Sequence, residues 1–123
     1  MEASLLSTDL FFSSRVTGVA EMDGATVTTI MHSEQLIRRV SENDVRLVLL
    51  DLSMPELDPK DLVPRLRELP NPPDTIIAFG PHVHEKKLSA AREAGCDRVL
   101  SRGEFNNQIR KILTEYLIQK GHR

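Results

Sequence analysis

The residues able to do chemistry are few and widely spaced. Asp51 closes the run Val45-Arg-Leu-Val-Leu-Leu-Asp51, so a carboxylate stands at the end of an apolar strand, followed by Leu52, Ser53, Met54 and Pro55. Ser7-Thr8-Asp9 brings two hydroxyls and a second carboxylate after the first apolar run, and Arg102 brings a guanidinium after the last short one. A carboxylate so placed can pair with a guanidinium or help to hold a cation. The metal candidates are Asp51, Ser53 and Asp9, a thin set for an ion that favours several hard oxygens. His82-x-His84 supplies two imidazoles with no third ligand placed by sequence, so the pair reads as a solvated loop. Cys96 is a single cysteine, which forms no internal disulfide and no zinc site by itself.

These groups need a scaffold. The chain of 123 residues is 40% apolar and 28% charged, with net charge −2 and pI near 6.1, which is one domain's worth of globular protein over residues 1–123. Nothing in that balance calls for nucleic acid or an anionic membrane as partner. The longest apolar run, Leu47 to Leu50, is far below the about 20 residues of a membrane span. Met1-Glu-Ala-Ser lacks the basic start and apolar stretch of a secretory signal. The expectation is a soluble cytoplasmic domain.

Periodic segments alternate in type. Ser4 to Leu6 reads as a strand. Asp9 then caps a helix over Leu10 to Met22, with Phe11, Phe12, Val16, Val19 and Ala20 as its apolar stripe and one of the two phenylalanines partly exposed. Ala25 to Ile30 is β-branched and strand-like, and Ser33 opens a second helix to about Ser41. Val45 to Asp51 reads as a strand buried on both faces. Pro64 favours starting the third helix at Asp61, since an interior proline costs about 3 kcal/mol. Thr75 to Phe79 is a strand, Glu85 to Ala94 a helix capped by Gly95, and Arg98 to Ser101 a short strand. Phe105, Ile109, Ile112, Leu113, Tyr116 and Leu117 mark a last helix. This alternation predicts an α/β fold: a doubly wound five-stranded parallel sheet of order 2-1-3-4-5, flanked by five helices and flavodoxin-like. The carboxyl ends of its strands carry Ser7-Thr8-Asp9, Asp51, Gly80 and Ser101-Arg102, and a site belongs there.

On these residues the sequence resembles the response-regulator receiver domain of two-component signalling. Leu47-Val-Leu-Leu-Asp51-Leu-Ser-Met-Pro55-Glu-Leu-Asp58 is similar to the family's buried third strand, phospho-accepting aspartate and Met-Pro loop. Ala90-Ala-Arg-Glu-Ala-Gly95-Cys-Asp97-Arg-Val-Leu100-Ser-Arg102 is similar to its Ala-Gly-Ala-Asp-x-Tyr-Leu-x-Lys-Pro run. The resemblance implies that Asp51 would accept a phosphoryl group from a histidine kinase, with Mg²⁺ between carboxylate and phosphoryl oxygens. It also implies an acid pair after the first strand, where this chain has Ser7 and Thr8, with Asp9 one register away. The family's switch hydroxyl falls at Gly80, its aromatic switch residue at Val99, its lysine at Arg102 and the following proline at Gly103. Arg102 keeps the charge, but a planar fork is no copy of a compact ammonium.

An atypical, pseudo-receiver reading follows, non-enzymatic and free of cofactor, in which Asp51 pairs with Arg102 and the module acts by protein contact. Mg²⁺ enters only in the alternative, where Asp51 is a live acceptor. The partner is a histidine kinase, a signalling output protein or a second copy of the chain. The resemblance places the docking face on the fourth helix, fifth strand and fifth helix, with Glu85, Lys86, Lys87, Arg98, Asn106, Asn107 and Lys111. Cys96 matches a small residue packed beneath the fifth strand. Haloacid-dehalogenase phosphatases need a second acid where Ser53 stands, which excludes them. Anti-sigma-factor antagonists share Leu50-Asp-Leu-Ser53 and stay as a lesser alternative, although Asp58 is followed by Pro59-Lys60-Asp61 and the early helix disagrees.

Overall fold

The computed structural model describes residues 2–118; Met1 and residues 119–123, which the whole-chain domain expectation includes, lie outside the described residues. Five strands alternate with five helices: β1 (Glu2–Leu6), α1 (Leu10–Met22), β2 (Thr26–Ile30), α2 (Ser33–Glu42), β3 (Val45–Asp51), α3 (Pro59–Arg67), β4 (Thr75–Gly80), α4 (Glu85–Ala94), β5 (Arg98–Ser101) and α5 (Arg102–Leu113). A π-helical turn, Thr114–Ile118, extends α5. All pairings are parallel and the strand order is β2-β1-β3-β4-β5, as the alternation predicts. A helix between the first two strands of a wholly parallel sheet removes the anti-sigma-factor-antagonist alternative.

Side chains of β3 alternate between two cores, which is why its apolar run is unbroken. Leu47 and Leu49 join α1 and α5 on one face, while Val48 and Leu50 join α2, α3 and α4 on the other. Each fully buried leucine contributes about 1.5–3 kcal/mol of transfer free energy. The first face is built around an aromatic group. Phe79 stacks on Phe105 at 4.2 Å, and Phe12 meets both, at 5.1 and 5.6 Å.

Helix ends follow local chemistry. Asp9 accepts the Phe12 amide at 3.0 Å as N-cap of α1, and Gly95, with φ of 102°, closes α4 in the left-handed conformation. Ser101 and Glu104 form a reciprocal capping box on α5, and that contact holds the Glu104 carboxyl below its usual range.

Several boundaries differ from the sequence-based expectation. α3 begins at Pro59, not Asp61: the Asp58 side chain caps it by accepting the Lys60 amide, and Pro64 sits inside the helix. The cap and the burial of Leu62, Val63 and Leu66 outweigh the hydrogen bond that proline removes. β1 begins at Glu2 because its pairing with β2 and β3 reaches that far, and β4 ends at Gly80 because it pairs with Ser101. α2 opens at Ser33 as expected, preceded by His32 at the cap position, and runs one residue further, to Glu42. Phe11 is 94% exposed while Phe12 is buried, so the exposed ring makes no partial contribution to the core.

Candidate functional site

Strand register lines up one end of the sheet. Leu6 is level with Leu50, Asp51 with Phe79, Phe79 with Leu100 and Gly80 with Ser101. Ser7, Asp51, Gly80 and Arg102 therefore meet at one rim, where the carboxyl ends of β1, β3, β4 and β5 open between α1 and the loop after β3.

Asp51 is 1% exposed and its oxygens are taken up by hydroxyls. Ser7 Oγ donates to Oδ2 at 2.7 Å, and Ser53 donates to Oδ1 through both Oγ at 2.6 Å and its amide at 3.0 Å. Ser7 Oγ in turn accepts the Asp9 amide at 3.1 Å. Three donors on two oxygens fix the orientation of this carboxylate.

The expected Asp51–Arg102 pair forms only at long range, because Arg102 binds Asp9 more closely. Arg102 Nη2 lies 2.5 Å from Asp9 Oδ2, whereas Nη1 lies 3.9 Å from Asp51 Oδ1, at the edge of ion-pair range. The guanidinium is also held over the Phe12 ring, 4.6 Å from its centroid. Asp9 is a surface carboxylate with a helix amide to accept, while Asp51 is buried under hydroxyl donors, and a planar fork satisfies the nearer, wetter acid. The Phe12 amide, with Arg102 assisting, holds the Asp9 carboxyl below its usual range. Both Asp9 oxygens are thus engaged, one by α1 and the other by Arg102.

Of the other candidate positions, Thr8 is exposed and Val99 is half-buried against the core on the α2–α4 side. Gly80 is buried, and a Cβ placed there would stand 3.0 Å from Leu52 Cβ. Lys86, Asn107 and Lys111 are exposed, and Arg98 is half-buried beside Gln108. Lys87 does not share that surface. Its stem is half-buried and its ammonium donates to the Met54 carbonyl in the loop after Asp51, so it belongs to the rim of the crevice. Lys87 precedes Ala91 by one turn, and Ala91 is buried, so the (i, i+4) spacing places Lys87 at the margin of the buried stripe; that spacing is the signal the charge pattern obscured.

His82 and His84 are exposed, and no group of three His, Cys, Asp or Glu side chains able to hold a metal occurs among the described residues. Burial pushes the Cys96 thiol up to about 11, in keeping with packing over reactivity. A groove of about 720 Å³ runs between α3 and α4, lined by Leu57, Pro59, Val83, Lys87 and Ala90 among others; Asp51 is not in its wall. No helix among the described residues is long and apolar enough to cross a membrane.

Comparison with known proteins gives a consistent family. Residues 9–114 match the response regulator receiver domain. A curated relative, an uncharacterized 14.6 kDa protein in the sodA1 3′ region of Leptolyngbya boryana, is 26% identical over 100 residues, spanning 80% of this chain and 76% of that one. Among solved structures, the receiver domain of the sensor histidine kinase PA1611 of Pseudomonas aeruginosa, which has a magnesium ion coordinated in its active site cleft, superposes with a TM-score of 0.79 at 19% identity, covering 94% of this chain and 95% of that one. A response regulator of Hahella chejuensis gives a TM-score of 0.82 at 13% identity, covering 94% of each chain. A signal receiver domain of Bermanella marisrubri gives 0.75 at 23% identity, covering 98% of this chain and 94% of that one.

Proposed function

Because the chain belongs to the response regulator receiver domain family, we propose that it is a two-component signalling module whose phosphorylation site is degenerate and which works chiefly by protein–protein contact. One observation carries this reading: where an acid pair would stand after β1, Ser7 is a donor, its hydroxyl proton directed at Asp51 Oδ2 from 2.7 Å. A divalent ion is held there by anionic oxygens, whereas Ser7 Oγ is neutral, with its proton on Asp51 and a lone pair already on the Asp9 amide.

The rest of the donor set agrees. Thr8 faces solvent, and Asp9 has one oxygen on the Phe12 amide and the other on Arg102. The residues present do not fit a bound Mg²⁺. Readout is reduced as well, since Gly80 has no hydroxyl to follow a phosphoryl oxygen and Val99 no ring to change rotamer. With the covalent switch weakened, the exposed residues Lys86, Asn107 and Lys111, with Arg98 beside them, are the docking surface for a kinase, an output protein or a second copy. The expected setting is the cytoplasm, where such partners act.

The test is amide chemical-shift mapping with Mg²⁺ and beryllofluoride, alongside partner binding by wild type and Asp51→Asn. No saturable shift at residues 51, 80 and 102, with partner affinity unchanged by Asp51→Asn, is the expected outcome. Saturable shifts there, with altered affinity in the variant, would establish Asp51 as a phosphoacceptor instead.

A further inference from the structure

Lys87 lies in the first turn of α4, a position where the helix dipole disfavours a cation. Its stem runs along the groove formed with Leu57, Pro59 and Ala90, and its ammonium reaches the carbonyl of Met54, three residues beyond Asp51. That carbonyl also accepts the Leu57 amide at 3.3 Å, so one oxygen closes the turn after β3 and anchors α4 to it.

We propose that Lys87 is the resident cation of the Asp51 crevice, balancing the buried carboxylate and fastening the following loop as an ion held by an acid pair would. The inference rests on the degenerate-site reading and deepens it. Arg102 pairs with Asp9 and reaches Asp51, and the Lys87 ammonium sits on the loop that follows Asp51, so two cations already stand against the two carboxylates, and a divalent ion added there would leave two positive charges in excess. Glu56 and Asp58 lie exposed on the outer side of the loop, and His84, Glu85 and Lys86 surround Lys87 at the start of α4. Burial draws the Lys87 ammonium below the usual lysine range, and the carboxylates of Asp51, Glu56 and Asp58, Asp51 foremost, hold it up. The consequence is mechanical. α4 is tied to the charge of Asp51 through Lys87 and Met54, a route that needs neither a hydroxyl at position 80 nor a ring at position 99.

The experiment is amide mapping of the full chain with Asp51→Asn made in two backgrounds, wild type and Lys87→Met. With Lys87 present, Asp51→Asn displaces the resonances of Met54 and of residues 84–91, and it lowers the midpoint at which the Lys87 Cε resonance titrates. With Lys87→Met, the displacement stops within the loop, and Lys87→Arg restores it. Equal displacement of residues 84–91 in both backgrounds, or a Lys87 titration that ignores Asp51→Asn, overturns the proposal. Should Lys87→Met fail to fold, the titration arm decides by itself, because it leaves position 87 intact. Line broadening of residues 51–54 by Mn²⁺ in the wild type would overturn the degenerate-site reading; without such broadening, a failed coupling counts against Lys87 alone.

Discussion

Gly80 decides whether a hydroxyl can return to the end of β4. A Cβ there would lie 3.0 Å from Leu52 Cβ, with the Leu52 carbonyl carbon and Cα at 3.8 Å. Non-bonded carbons prefer about 3.5–4.0 Å. Leu52 has no rotamer that escapes, because its Cβ is fixed by the backbone and its amide is bonded to Phe79 O at 2.8 Å. Two effects then compete in Gly80→Ala. Restricting the unfolded chain favours alanine by about 0.4–1 kcal/mol, since Gly80 is not among the positive-φ glycines. Overpacking a filled core disfavours it by about 1–3 kcal/mol. Leu52 is fully buried, so the second effect dominates and the net loss is about 1–2 kcal/mol. Urea denaturation followed by circular dichroism should show a lower midpoint at unchanged slope. Leu52→Ala keeps the offending atom and gives no rescue, whereas Leu52→Gly removes it and should show favourable coupling with Gly80→Ala in a double-mutant cycle. A Gly80→Ala protein as stable as the wild type would refute this account of the position.

Two further predictions concern the same rim and its strand. The Asp9 carboxyl is held below its usual range by the Phe12 amide and by Arg102, so its stabilisation is present above about pH 4 and is lost as pH falls through the folded value. Asp9→Asn retains a cap and stays within about 1 kcal/mol of wild type at pH 7, while Asp9→Ala loses about 1 kcal/mol; in acid-titrated thermal melts the Asn variant should decline less steeply below pH 4, and matching acid limbs would count against the Asp9 contacts. Ser4 Oγ is buried in β1 with no hydrogen-bond partner, so Ser4→Ala is expected to be neutral or to gain up to about 1 kcal/mol in the urea midpoint. A loss larger than that would show that the hydroxyl is bonded in solution.

Architecture was legible because each element has a local cause. The unbroken run Leu47 to Leu50 points to a strand covered on both faces, Asp9 and Gly95 mark helix ends by their own hydrogen bonding and dihedral preference, and the alternation of types points to a parallel sheet. Pro64 alone favours a start of α3 at Asp61, but the Asp58 cap and the burial of Leu62, Val63 and Leu66 act on the same helix and extend it to Pro59. At the rim, position was legible and partnership was not. Sequence spacing brought Ser7, Asp9, Asp51 and Arg102 to one end of the sheet, but which acid the guanidinium chooses depends on burial and competing donors. Lys87 was hidden for a related reason: on a helix rich in charge, only its register with Ala91 separates a lysine on solvent from one that crosses to the next loop.

The rim is a set of mutually dependent choices, which is why family chemistry cannot be restored there one residue at a time. Any side chain at position 80, a hydroxyl-bearing one included, puts its Cβ against Leu52 Cβ. A carboxylate in place of Ser7 exchanges a donor 2.7 Å from Asp51 for a second negative charge in the same buried space. A lysine in place of Arg102 gives up the fork that touches Asp9 and Asp51 while lying over Phe12. Each change alone breaks a contact already made or creates a clash, so metal-dependent chemistry at this rim would require several of these residues to change together.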